Sequence, residues 1–126
     1  MNTQPRVLIV DRSLESRQVL RTALQRGDAQ VLEAAHAKAG LELIRNQPPD
    51  VVVLDDETSE SSPQIDALDF GRALQPARTP VVVLGTARRS MEGFSSAEFI
   101  AKPYHYGPLV RRIEELLAQS GSVAAD

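Results

Sequence analysis

The chain has no cysteine, which excludes disulfides, thiolate metal centres and a cysteine nucleophile. Tryptophan is also missing and aromatic residues make up only 4 %, so stacking on nucleic-acid bases has little to work with. No apolar run approaches the roughly 20 residues of a membrane span, and the opening Met1–Arg6 is too polar for a signal peptide. The expectation is a cytoplasmic protein without membrane contacts. Positive charge is not in excess either: the formal net charge is −3, which disfavours a generic grip on nucleic acid or anionic lipid. Walker and dinucleotide glycine motifs are absent, as are internal repeats. What remains suits one ordinary domain, since 126 residues with 42 % hydrophobic content can bury a real core.

Short apolar runs alternate with segments of helical period. Val7–Val10 reads as a buried strand, apolar on both faces and β-branched. Ser13 can cap the helix that follows, with Val19, Leu20, Ala23 and Leu24 on one face and Gly27 as its stop. Ala29–Glu33 is a weaker strand. A second helix spans about Ala37–Asn46, lined by Ala37, Leu41 and Ile44 and ended by Pro48-Pro49. Val51–Leu54 is a strand, Asp56–Gln64 a polar loop, and about Ile65–Leu74 a third helix with Ile65, Leu68 and Ala73 facing inward. Val81–Leu84 is another strand. Thr86–Ser96 holds at most a short fourth helix, interrupted by Gly93. Phe99–Ala101 is a last short strand, and Leu109 to about Ala118 a last helix with Leu109, Ile113, Leu116 and Leu117 on one side. The domain is expected over residues 6–118, with 119–126 a tail or linker.

Five strands alternating with five helices imply a doubly wound parallel sheet with helices on both faces. Ligands of such sheets bind beyond the carboxyl ends of the strands. Charged residues occupy those ends here: Asp11 after Val7–Val10, Asp55 after Val51–Leu54 and Lys102 after Phe99–Ala101, with Gly85-Thr86 after Val81–Leu84. An acid closing a wholly apolar strand is costly unless the strand opens into a polar site.

The segments VLIVD (Val7–Asp11), PDVVVLD (Pro49–Asp55), TPVVVL (Thr79–Leu84) and FIAKP (Phe99–Pro103) resemble, in this order, the receiver domain of bacterial two-component response regulators, over about Arg6 to Ala118. The resemblance implies a flavodoxin-like sheet of order 2-1-3-4-5. It implies Asp55 as phosphoacceptor, Asp11, Asp55 and the backbone carbonyl of Glu57 around magnesium, and Lys102 on the phosphoryl oxygens before a cis bond to Pro103. Thr86 and Phe99 take the switch positions. The implied function is a non-enzymatic phosphorelay module whose partner is a histidine kinase or phosphotransfer protein. A homodimer through the fourth helix, last strand and last helix accompanies that expectation. Phosphoryl transfer relies on positioning and charge neutralisation, which explains the choice of these residue types.

The chain departs from that pattern at four places. Arg12 stands where the family has a second metal-site acid; Gly85 takes the place of the hydroxyl residue, with Thr86 one position late; Asp56-Glu57-Thr58-Ser59 replaces the usual hydrophobic-proline loop; and Gly85–Lys102 is short. A guanidinium about 6 Å from a dication is repelled by about 5 kcal/mol at an effective dielectric of 20, less once screened. Even about 2 kcal/mol weakens magnesium binding more than tenfold. Weak magnesium binding is therefore expected. Arg12 becomes a pocket-rim residue that pairs with Asp55, Asp56 or Glu57, or takes over the cation's role. The alternative function is a receiver-like interaction module that has left the phosphorylation cycle. Against these readings stand the ordinary ones: Asp11 as a helix cap, Gly85-Thr86 as a turn, and His36, His105, Arg111 and Arg112 as solvated surface.

Overall fold

The structure, a computed structural model, describes residues 4–55, 67–86 and 97–125. β1 (Arg6–Val10) is followed by α1 (Leu14–Arg26), β2 (Gln30–Ala34), α2 (Ala37–Asn46) and β3 (Val51–Asp55). Then come α3 (Ala67–Leu74), a 3₁₀ turn at Gln75–Ala77, β4 (Val81–Gly85), β5 (Ala97–Ala101) and α4 (Tyr106–Ala125). The five strands form one parallel sheet of order β2-β1-β3-β4-β5. Both the expected architecture and the strand order are thus found. The short fourth helix read over Thr86–Ser96 falls, beyond Thr86, outside the described residues, as do the loop Asp56–Gln64, Ile65 and the side chain of Leu68.

Period-two alternation divides the core into two layers. Val7, Ile9, Val51, Val53, Val82 and Leu84 meet Leu20 and Leu24 of α1 and Leu109, Ile113, Leu116 and Leu117 of α4. Leu8, Val10, Val52, Leu54, Val81 and Val83 face Ala37 and Ile44 of α2 and Phe70 and Leu74 of α3. Because both faces are covered, β3 and β4 are buried along their whole length, which is why their runs are continuously apolar.

Local chemistry sets the helix ends. Ser13 Oγ accepts from Ser16 N–H at 3.2 Å and caps α1. His36, read as a surface histidine, caps α2 through Nδ1, which accepts from Ala39 N–H at 3.3 Å. Gly27 ends α1, but the left-handed residue is Asp28 (φ 68°), an αL position that aspartate tolerates. Val19, expected on the inner face of α1, is 39 % exposed, because Leu20 and Leu24 hold the contact with the sheet.

Two expectations about the last helix are corrected. α4 begins at Tyr106 and continues to Ala125, so residues read as a loose tail are helical; Ser120 Oγ donates to Asp50 Oδ1 at 3.3 Å. Arg112, read as solvated, forks onto Glu98 of β5 and also donates to Glu115 at 3.0 Å, tying the last helix to the edge strand.

Candidate functional site

Parallel register brings the charged strand ends to one edge of the sheet. Val10 pairs with Leu54, so Asp11 and Asp55 emerge side by side from adjacent strands. Gly85 pairs with Ala101, and Lys102 N–H donates to Gly85 carbonyl oxygen at 2.9 Å, which fixes Lys102 as the first residue beyond β5. From there its Nζ crosses the end of β4 to Asp55 Oδ2 at 2.7 Å. The Lys102–Pro103 bond is cis.

These groups line an open cleft of about 810 Å³, together with Arg12, Ser13, Thr86 and Tyr104. Asp11 and Asp55 are buried, at 5 % and 7 % exposure, whereas Arg12 and Thr86 are exposed at the rim. Asp11 Oδ1 accepts from Ser13 N–H at 2.8 Å, and Arg17 of α1 donates to the Asp11 carbonyl at 2.6 Å while also pairing with Glu33. Burial pushes the Asp11 carboxyl above its ordinary value; the Ser13 bond opposes this, the Asp55 charge adds to it, and Lys102 and Arg17 oppose it.

Of the residues singled out in the sequence, Asp11, Arg12, Asp55, Thr86 and Lys102 meet at the cleft. Phe99 does not line it; its ring packs instead with the α2–α3 layer. Glu57 lies outside the described residues. The sequence reading missed Tyr104 and Tyr106, which form one wall edge to face, with centroids 5.6 Å apart. The Tyr106 hydroxyl donates to Ser16 Oγ at 3.3 Å, bridging α4 to α1 across the cleft's side. Burial pushes the Tyr104 phenol up to about 12, with Tyr106 and the charges of Asp11 and Asp55 adding to the rise. Their signal was available: in a chain with two tyrosines, both follow Lys102 within four residues.

Magnesium takes hard oxygen ligands in octahedral array, and the two carboxylates are of the right kind. Among the described residues, however, no group of three His, Cys, Asp or Glu side chains is placed to hold a metal. Arg12 and Lys102 bring two positive charges into the same cleft. The described donor set therefore fits a dication poorly.

Comparison with known proteins agrees with this fold. The model of the response regulator receiver domain matches residues 7–114. A protein-glutamate methylesterase/protein-glutamine glutaminase of Anaeromyxobacter dehalogenans is 39 % identical, over 95 % of this chain and 35 % of its own length. The KDP operon transcriptional regulatory protein KdpE of Escherichia coli is 29 % identical, over 94 % of this chain and 54 % of its own. The chain thus spans about a third to a half of the length of these relatives. Among solved structures, a Francisella response regulator receiver domain superposes with a TM-score of 0.76 at 23 % identity, covering 93 % of this chain and 99 % of that one.

Proposed function

Since the chain belongs to the response regulator receiver domain family, we propose that it accepts a phosphoryl group on Asp55 from a phosphohistidine of a histidine kinase or phosphotransfer partner. Receiver domains interact with such partners as a class and typically bind magnesium at the acidic pocket. The observation that carries the reading is Asp55 held by Lys102 at 2.7 Å, beside Asp11, at the floor of an open cleft. A carboxylate oxygen of Asp55 forms the bond to phosphorus as the phosphorus–nitrogen bond breaks, and the electron pair leaves with the imidazole. Lys102 neutralises charge on the transferred oxygens as a mobile point charge. Asp11 sets a second carboxylate beside Asp55, and Thr86, exposed on the rim, offers the hydroxyl that Gly85 lacks.

Magnesium affinity is weak in this reading, because Arg12 repels the ion and only two described carboxylates face it. The output route runs through Thr86 and Phe99 to the face formed by β5 and α4, where a second copy or an output partner would dock. The domain acts as a switched module, without turnover of its own.

Incubation with a small phosphodonor, followed by intact-mass measurement with and without magnesium, tests the acceptor role. One phosphoryl mass is expected on the protein and none on Asp55→Asn. A second reading, favoured by Arg12 on the cleft wall, is a constitutive interaction module. No added mass under any condition would leave that reading alone.

A further inference from the structure

Among the described residues, the cleft carries balanced charge. Asp11 and Asp55 contribute two negative charges, and Arg12 and Lys102 two positive ones. The described wall is therefore neutral before any ion enters. Adding a dication would make it strongly positive, whereas a pocket with an acid at position 12 would need that dication to reach balance.

The placement matters as much as the sum. β3 lies between β1 and β4 in the sheet. Arg12 follows β1 directly, one Cα step of about 3.8 Å beyond Asp11, while Lys102 reaches Asp55 from the β5 side. Lys102 thus pairs with the acceptor carboxylate from the β5 side, while Arg12 lines the same cleft from the β1 side. Asp11 and Asp55, the carboxylates that would hold a dication, line the same cleft as Arg12. Guanidinium is charged at every accessible pH and presents a planar fork of donors that suits two oxygens of a tetrahedral oxyanion. The capped start of α1 opens on the same cleft through Ser13, adding its positive dipole end.

We infer that the cleft holds a phosphoryl-sized oxyanion without a divalent cation, Arg12 supplying the charge that magnesium would otherwise bring. This rests on reading the cleft as the phosphoryl site and deepens it: transfer to Asp55 then proceeds in a chelator. The donor of choice is phosphoramidate, whose nitrogen is already protonated, so that ammonia leaves with the electron pair of the broken phosphorus–nitrogen bond.

Inorganic phosphate, titrated in excess chelator and followed by amide shifts of the labelled protein, tests binding apart from transfer. A saturable response at Arg12, Thr86 and Lys102 is expected, unchanged by magnesium. Arg12→Ala, exposed enough to leave the fold intact, should raise the half-saturating phosphate at least about tenfold. Arg12→Lys should restore part of the loss. No saturable response in the parent, or equal binding by Arg12→Ala (an adventitious ion only), overturns the inference. Phosphoramidate with intact-mass readout separates the two claims. Phosphoryl mass only with magnesium sinks this inference and keeps Asp55 as acceptor; phosphate binding without any phosphoryl mass keeps the cation-free oxyanion site and sinks Asp55 as acceptor, and with it transfer in a chelator.

Discussion

The Asp11 carboxyl, buried and beside the charge of Asp55, ionises less readily in the fold than in the unfolded chain. A carboxyl whose folded pKa is raised stabilises the fold when protonated, and that contribution is lost as pH rises through the raised value. At neutral pH the ionised Asp11 is therefore a net cost. Asp11→Asn keeps an oxygen for Ser13 N–H and removes the charge, so it should stabilise by about 0.5–2 kcal/mol at neutral pH. The gain should vanish below the ordinary value of 3.8. Urea denaturation over a pH series reads this, and a pH-independent difference would contradict it. Lys102→Met removes the ammonium from a carboxylate that is 7 % exposed, at a cost of about 1–3 kcal/mol. Asp55→Asn in the same background should recover part of that cost, giving a coupling of about 1 kcal/mol in a double-mutant cycle.

Helices hold the sheet through contacts that depend on shape. A Cβ at Gly40 would lie 2.8 Å from Val10 Cγ2, a buried branched side chain with no room to turn, directly before Asp11. Helix propensity alone favours alanine there by about 1 kcal/mol. Overpacking outweighs it, and Gly40→Ala is expected to destabilise by about 1–2 kcal/mol in chemical denaturation. A stabilised variant would show that α2 can move off β1 freely. The inner face of α3 carries the same lesson. Ala73 packs against the core as read, but Phe70, the largest fully buried side chain among the described residues, does most of the filling. Periodicity over an eight-residue helix leaves the choice of face open until the neighbouring α2 and the sheet are in place. The start of α4 at Tyr106, rather than Leu109, likewise follows from the tyrosine bridge to α1 and not from any apolar pattern.

At the scale of the molecule, the cleft exists only because three distant strand ends share one edge of a parallel sheet. Ligands that bind it stabilise the whole domain by mass action. With a dissociation constant above about 1 mM, magnesium at 1 mM adds at most about 0.4 kcal/mol, a melting shift of about 1–3 °C. Thermal melts with magnesium chloride against sodium chloride of matched ionic strength should show that small shift, and Arg12→Asp should enlarge it. A shift of many degrees in the parent would refute the weak-metal reading.

The sequence by itself determined the layered α/β architecture, the strand order through resemblance, and the positions of Asp11, Asp55 and Lys102. It could do so because buried parallel strands are continuous apolar runs, so any charge that closes one is conspicuous. It also put a cation, Arg12, at the position where the resemblance implies an acid, because a change of sign is visible without coordinates. Only the tertiary structure decided that Lys102 reaches Asp55, that two tyrosines wall the cleft, that Phe99 lies away from it, and that Arg112 ties α4 to β5. Those outcomes depend on where side chains from separate elements converge in space, and local periodicity carries no record of that distance.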